Sequence, residues 1–279
     1  MASDSNDLRL PAELLLQIFK NAAEAKDVDE GAKTLFRLTR VCKLWRSILF
    51  DYGSTWSALS LANADVTDIM LQRSKNAPVS LHVDLRSPKR WPGTVARAAY
   101  SVLERTVGRV QALVIVGSSD ASFNRTVLRG LSHGALNALT TLELTSPKSG
   151  RDPAFRIDPT HLSGAVHLRR LTLHKTELLP GAPALLPGLC HPLSHLELRE
   201  VRGMSLSTLL EMLGAAQGTL ETLELSSLHL TEDLAATSPG TIELRVLEEL
   251  TMHGIETLAT SGAAILPFIQ HSSTGGIRP

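Results

Sequence analysis

The sequence predicts an α/β protein. An N-terminal helical module is followed by stacked strand units, with a curved parallel sheet on one side and helices outside. Three observations carry this reading. Apolar residues between positions 14 and 49 recur three and four apart, the spacing of a buried helix face. After residue 100 the pattern apolar-x-x-Leu-x-apolar returns six times, with its middle leucines at 113, 142, 171, 196, 223 and 250. Finally, 49 of the 279 residues are leucine, well above ordinary usage, so some element needs leucine repeatedly.

Composition narrows the classes. Lys+Arg and Asp+Glu both number 28, and zero formal net charge removes the long-range attraction of a general nucleic-acid or acidic-membrane binder. The 43% hydrophobic content is too high for a wholly disordered chain. Two cysteines build no disulfide framework, so a reducing compartment, cytoplasmic and/or nuclear, is expected. Residues 1–7 lack the basic-then-apolar order of a signal peptide. No apolar run approaches the roughly 18 residues a membrane span needs, and the longest, 112–117, suits one buried strand.

The first helix is expected from Leu10-Pro11-Ala12-Glu13. Proline fits the first helical position, and Glu13 suits the positive end of the helix dipole. Leu14, Leu15, Ile18, Phe19 and Ala22 form its stripe. The polar stretch 24–33 reads as a loop or frayed end. A second helix is expected over 34–50, with Leu35, Leu38, Val41, Cys42, Trp45, Ile48 and Leu49 on one face. Its other face carries Lys33, Arg37, Arg40, Lys43 and Arg46, either a solvated surface or a contact for an acidic partner. Residues 51–54 read as a turn and 56–61 as a short strand. Two such helices bury too little surface to stand alone.

The pattern Leu10-Pro11-x-Glu13-Leu14-Leu15-x-x-Ile18-Phe19, then Leu38-x-x-Val41-Cys42-Lys43-x-Trp45-Arg46, then Trp56 before a strand, resembles an F-box. It is similar to the F-box-like variety common in fungi, in which a strand like residues 78–84 follows. The resemblance covers residues 8–62, with a similar lead-in to about residue 85; the stretch 24–33 departs from it. It implies a docking module that binds the Skp1 adapter and, through it, a cullin ubiquitin ligase. Carried over, the adapter contacts are Leu10, Pro11, Leu14, Ile18, Phe19, Val41, Cys42, Trp45 and Ile48, some of which also serve the core. The expected domains are 1–62, F-box-like, and 63–279, repeat-bearing.

Helices are expected over 65–75, 94–107 and 206–216, and an irregular loop over 178–192, which holds four prolines and two glycines. The repeat intervals of 25–29 residues match leucine-rich repeats, although the usual asparagine is missing. Leu-x-Leu puts two side chains on one strand face, and stacking buries them. The other face, concave in such a solenoid, exposes residues including Glu143, His174, Glu197, Arg199, Glu224 and His253. It is either a solvated sheet face or a surface for a protein substrate.

No nucleotide loop, nucleophile elbow or metalloprotease motif occurs, so neither catalysis nor a cofactor is expected. Cys190-His191 with His195 is the one metal-like cluster, but it lacks the second pair of a zinc site. Asn124-Arg125-Thr126 is a glycosylation sequon in a chain with no other sign of secretion. The Ser/Gly-rich end, 271–279, is expected to be a frayed tail or a truncated end, with enhanced protease sensitivity after about residue 255. Two functions compete: a substrate-recognition adaptor of a Skp1-cullin-F-box ubiquitin ligase, or a leucine-rich-repeat scaffold whose F-box-like segment only caps the solenoid.

Overall fold

The computed structural model describes residues 10–24, 27–61, 63–86, 92–118, 120–131, 136–146, 155–158, 162, 164–179, 190–231, 242–257 and 269–271. The chain divides into compact units, Met1–His82 and Val83–Pro279.

In the first unit, α1 (Ala12–Glu24), α2 (Val28–Leu38) and α3 (Lys43–Asp51) lead through a 3-10 turn (Gly53–Trp56) to β1 (Ala58–Ser60), α4 (Ala64–Arg73) and β2 (Val79–Asp84). Strand β1 pairs in parallel with β2, Leu59 opposite Leu81. The core holds Leu15, Phe19, Leu35, Ile48, Leu49, Trp56 and Met70. This compact unit takes in α4 as well as the F-box-like stretch expected over 1–62. The reason is packing: Met70 of α4 is buried, and the guanidinium of Arg73 lies 4.5–5.0 Å from the ring centres of Phe36, Phe50 and Trp56.

Two sequence expectations need correction here. Residues 28–33 are helical, because Asp27 caps α2 by accepting from the Glu30 N–H at 2.8 Å, and Asp29 and Glu30 suit the dipole at that end. Gly31 lets α2 approach α1 closely: a Cβ there would sit 2.7 Å from the Ala23 carbonyl oxygen. Residues 34–50 form two helices instead of one. The Thr39 hydroxyl bonds back to Phe36 O at 2.8 Å, and Arg46 Nε donates to Thr39 O at 2.9 Å. Cys42 is extended, and its Sγ accepts from Trp45 N–H at 3.5 Å to start α3. The three-and-four spacing survives the break because α2 and α3 both pack on α1.

The second unit opens with α5 (Pro92–Thr106), β3 (Val110–Val116) and α6 (Ala121–Leu131). There follow β4 (Thr141–Thr145), β5 (Phe155–Ile157), β6 (Arg170–His174), β7 (Thr176–Leu178), β8 (His195–Arg199), β9 (Met204–Ser205) and α7 (Leu206–Ala216). The last strands are β10 (Thr222–Ser226), β11 (His229–Thr231), β12 (Ile242–Leu244), β13 (Glu249–His253), β14 (Glu256–Thr257) and β15 (Ile269–His271).

Strands β3, β4, β6, β8, β10 and β13 pair side by side, all in parallel. Their register puts Leu113, Leu142, Leu171, Leu196, Leu223 and Leu250 in one row, all buried. The common spacing of the six motifs is therefore a common register. Local geometry repeats with it. Lys175, Glu200 and Ser227, each one residue past a strand, take φ of 50–54°, and Gly254 takes 56°. The first three donate their N–H groups to Arg199 O, Ser226 O and His253 O at 2.8–2.9 Å, which extends the ladder through a conformation that L residues seldom adopt.

Helices α4 and α5 match the expected segments within two residues at each end, and α7 matches at both ends. Helix α6 has no counterpart in the sequence reading, because the polar Asn124 interrupts its buried stripe of Val127, Leu128 and Leu131. Asn124 is itself buried; it accepts from Ser118 N–H and donates to Ser118 O, both at 2.9 Å. The sequon asparagine is thus a structural clamp. Asn124→Ala removes both bonds and leaves Ser118 groups unpaired, so unfolding should become easier by about 2 kcal/mol, measurable by urea titration. Most of the expected loop 178–192 lies outside the described residues. Past residue 255, β14 pairs in parallel with β11 and β15 with β12, while the expected tail at 272–279 lies outside the described residues.

Candidate functional site

The first unit leaves apolar side chains in solvent beside others that are sealed. On α1, Leu15 and Phe19 point inward (8% and 1% exposed), while Leu14 and Ile18, one residue earlier in each case, are 52% and 51% exposed. Pro11 immediately precedes α1, and its carbonyl accepts from the Leu14 and Leu15 N–H groups at 3.1 Å; this fixes which residues face out. Leu10 is also half-exposed, and Pro11 is exposed. The α2–α3 turn presents Val41, exposed at 59%, together with Cys42, and the first turn of α3 presents Leu44. Trp45 is half-buried, its ring centre 4.8 Å from that of Phe19. This contact joins α1 to the start of α3, and the sequence neighbours of its two rings, Ile18 and Leu44, are exposed.

The structure therefore sorts the nine expected adapter residues. Leu10, Pro11, Leu14, Ile18, Val41 and Cys42 are exposed, and Trp45 is half-buried. Phe19 and Ile48 are buried and belong to the core. Leu44, exposed at 48%, was outside the expected set, since the single-helix reading of 34–50 puts it off the apolar stripe. All five basic residues of the expected charged face are exposed. One has an acid: Lys33 pairs with Glu30 a turn earlier, which raises the lysine pKa and lowers that of the carboxyl. Arg46 is tied back to Thr39 O, leaving Arg37, Arg40 and Lys43 as the outward cations among the five.

The expected substrate face lies on the strands of the second unit. Glu143, Thr172, Glu197, Glu224 and Thr251 form one row across the sheet. Thr145, His174, Arg199, Ser226 and His253 form the next. Arg199 links neighbouring strands: its Nη2 is 2.7 Å from Glu224 and its Nε 2.7 Å from Glu197. The Nε contact is ionic, because its N–H points away from any acceptor. The bond to Glu224 raises the Arg199 pKa further. His174 lies 3.6 Å from Glu200, and His195 lies 4.0 Å from Glu197. Burial, then the charge of Arg170, lowers the His195 pKa, outweighing the neighbouring glutamates. Thr172, flanked in register by Glu143 and Glu197 on the expected substrate face, is buried. Glu143 on β4 and His253 on β13 are at opposite ends of this row pair and do not meet the Arg199 cluster.

Cys190 is 1% exposed, and burial pushes its thiol up to about 12. Among the described residues no group of three His, Cys, Asp or Glu side chains could hold a metal, and no helix is long and apolar enough to cross a membrane. Because a thiolate is the reactive form, iodoacetamide at mildly alkaline pH should label the folded chain on Cys42 alone. Both cysteines should react after unfolding. A second label before unfolding, read by mass spectrometry, would contradict the burial of Cys190.

A family model described as F-box-like matches residues 7–62. No curated protein matches the chain. The chain thus carries an F-box-like domain across α1, α2, α3 and β1, the segment that holds the exposed apolar residues.

Proposed function

We propose that this chain is a substrate-recognition subunit of a Skp1-cullin-F-box E3 ubiquitin ligase, of the fungal F-box-like variety with irregular leucine-rich repeats. F-box-like domains generally bind Skp1 adapters. One observation carries the reading within that domain: Leu10, Leu14, Ile18, Val41 and Leu44 stay about half-exposed, Leu14 and Ile18 directly beside the buried Leu15 and Phe19. Five large apolar residues on two adjoining edges make a surface suited to a protein partner. Arg37, Arg40 and Lys43 add positive charge for an acidic adapter.

In this reading the parallel sheet of the second unit continues as a repeat solenoid, and its polar face, with Glu197, Arg199 and Glu224 near the centre, holds a protein substrate. The chain performs no covalent step. It raises the effective concentration of a substrate lysine near a charged ubiquitin carrier, in the cytoplasm and/or the nucleus. The full chain mixed with purified Skp1 should form a complex with Kd below about 1 μM, the affinity of a modest specific interface. Absence of a complex by calorimetry and pull-down would overturn the docking assignment.

A further inference from the structure

Strand β13 is the last of the paired strands, and among the described residues it pairs with β10 alone. Its apolar row is not closed. At β10 the motif leucines Leu220, Leu223 and Leu225 are fully buried. At β13 the equivalent Leu247 and Met252 are only half-buried, and the adjoining Val246 is exposed. An open apolar strip along a sheet edge, beside spare backbone groups, is a template for another strand.

The hydrogen bonds show which backbone groups are spare. Glu249 N–H donates to Glu221 O at 3.1 Å, and His253 O accepts from Ser227 N–H at 2.8 Å. Backbone direction alternates along a strand, so Thr251 also turns towards β10, while Leu250 and Met252 aim their N–H and C=O groups at the outer edge. Antiparallel pairing of this edge with itself must join those outward residues. With a two-fold axis at Thr251, Leu250 faces Met252 of the second copy, and both such pairs exchange both backbone bonds. The same register sets Glu249 opposite His253 of the second copy at each end, and Thr251 opposite its own twin. Acid–base and Thr–Thr pairs are the cross-strand kinds that stabilise sheets. Moving the axis to Leu250 or Met252 also suits the backbone, but it sets Thr251 opposite Glu249 or His253 and loses the charge match. The edge is therefore complementary to itself, and charge selects the register.

We propose that two copies of this chain associate through the outer edges of β13, antiparallel about Thr251, so that the sheet continues across a two-fold axis. Sedimentation of the full chain from about 1 to 200 μM should show monomer–dimer exchange with a Kd on the order of 10 μM. His253→Glu puts like charges opposite each other at both ends and should weaken the dimer about tenfold. Adding Glu249→Lys makes the charges opposite again and should return the Kd to within about threefold of the wild type. Cross-linking reads the register. In a Cys42→Ser background, Thr251→Cys should form a covalent dimer on mild oxidation, because a non-hydrogen-bonded antiparallel pair brings its Cα atoms to about 4.5 Å, within disulfide reach. Glu249→Cys alone should stay monomeric, since its twin lies four residues along the ladder, roughly 13 Å away. Glu249→Cys mixed with His253→Cys should cross-link. A chain that is monomeric throughout the concentration range would overturn the proposal. So would a dimer indifferent to His253→Glu, or one in which Glu249→Cys cross-links with itself as readily as Thr251→Cys. No adapter takes part, so the outcome is independent of Skp1 docking.

Discussion

The double substitution Leu14→Glu with Ile18→Glu is expected to weaken Skp1 capture by more than about a hundredfold while leaving the fold intact. Both side chains are half-exposed in the free chain, so two carboxylates there remain hydrated. Surface changes of this kind usually alter stability by no more than about 0.5 kcal/mol. At an apolar interface the same carboxylates lose their water without a partner, which costs several kcal/mol in total. Leu44→Glu should act in the same direction, because Leu44 has nearly the same exposure. Phe19→Ala is the contrasting control. It lies one residue from Ile18 but is buried, and it should lower stability by about 3–5 kcal/mol before it affects any contact directly. The readouts are calorimetric Kd and the circular-dichroism melt of each variant. A double mutant that binds like the wild type would remove α1 from the docking surface.

Much of this surface was legible in the sequence, and the reasons are specific. Leu14, Ile18 and Val41 followed from the F-box resemblance, while which side chains face out depends on where each helix begins. Periodicity cannot see a break that preserves the apolar phase. The break between α2 and α3 rests on the Thr39 back-bond and the Cys42 cap, both short-range polar contacts that carry no hydrophobic signal. Missing that break also hid Leu44. The six sheet strands were legible because one leucine position per strand is buried in a shared register, and the spacing records it directly. The residues just past these strands were not legible, since Lys175, Glu200 and Ser227 are unusual choices for positive φ. Arg73 was the least visible. A lone arginine in the last turn of a helix gives no hint that three aromatic rings from other elements surround it.

That arginine sets the second large expectation: Trp56→Ala should unfold the first unit locally. Trp56 is fully buried, and its indole N–H donates to Leu49 O at 2.7 Å. Its ring lies 5.4 Å from that of Phe36 on α2 and 6.1 Å from that of Phe50 on α3. The Arg73 guanidinium sits 4.5 Å from it, so one side chain ties α2, α3 and α4 together. Burial already lowers the Arg73 pKa, and its Nη1 has no hydrogen-bond partner, so the rings are its main compensation. Truncation removes about 3–5 kcal/mol of packing, and loss of the ring under a desolvated cation adds roughly 1–2 kcal/mol. That approaches the whole stability of many domains, typically about 5–15 kcal/mol. Hydrogen-exchange mass spectrometry should show amide protection in α1–α4 falling by about a thousandfold or more, with β4, β6, β8 and β10 of the same chain as the internal reference. Trp56→Phe keeps an aromatic face for Arg73 and loses the bond to Leu49 O, so its effect should be distinctly smaller. If Trp56→Ala leaves α1–α4 as protected as the wild type, the aromatic cluster does not hold this unit together. If the two variants lose equal protection, the indole N–H bond outweighs the cation–ring contacts.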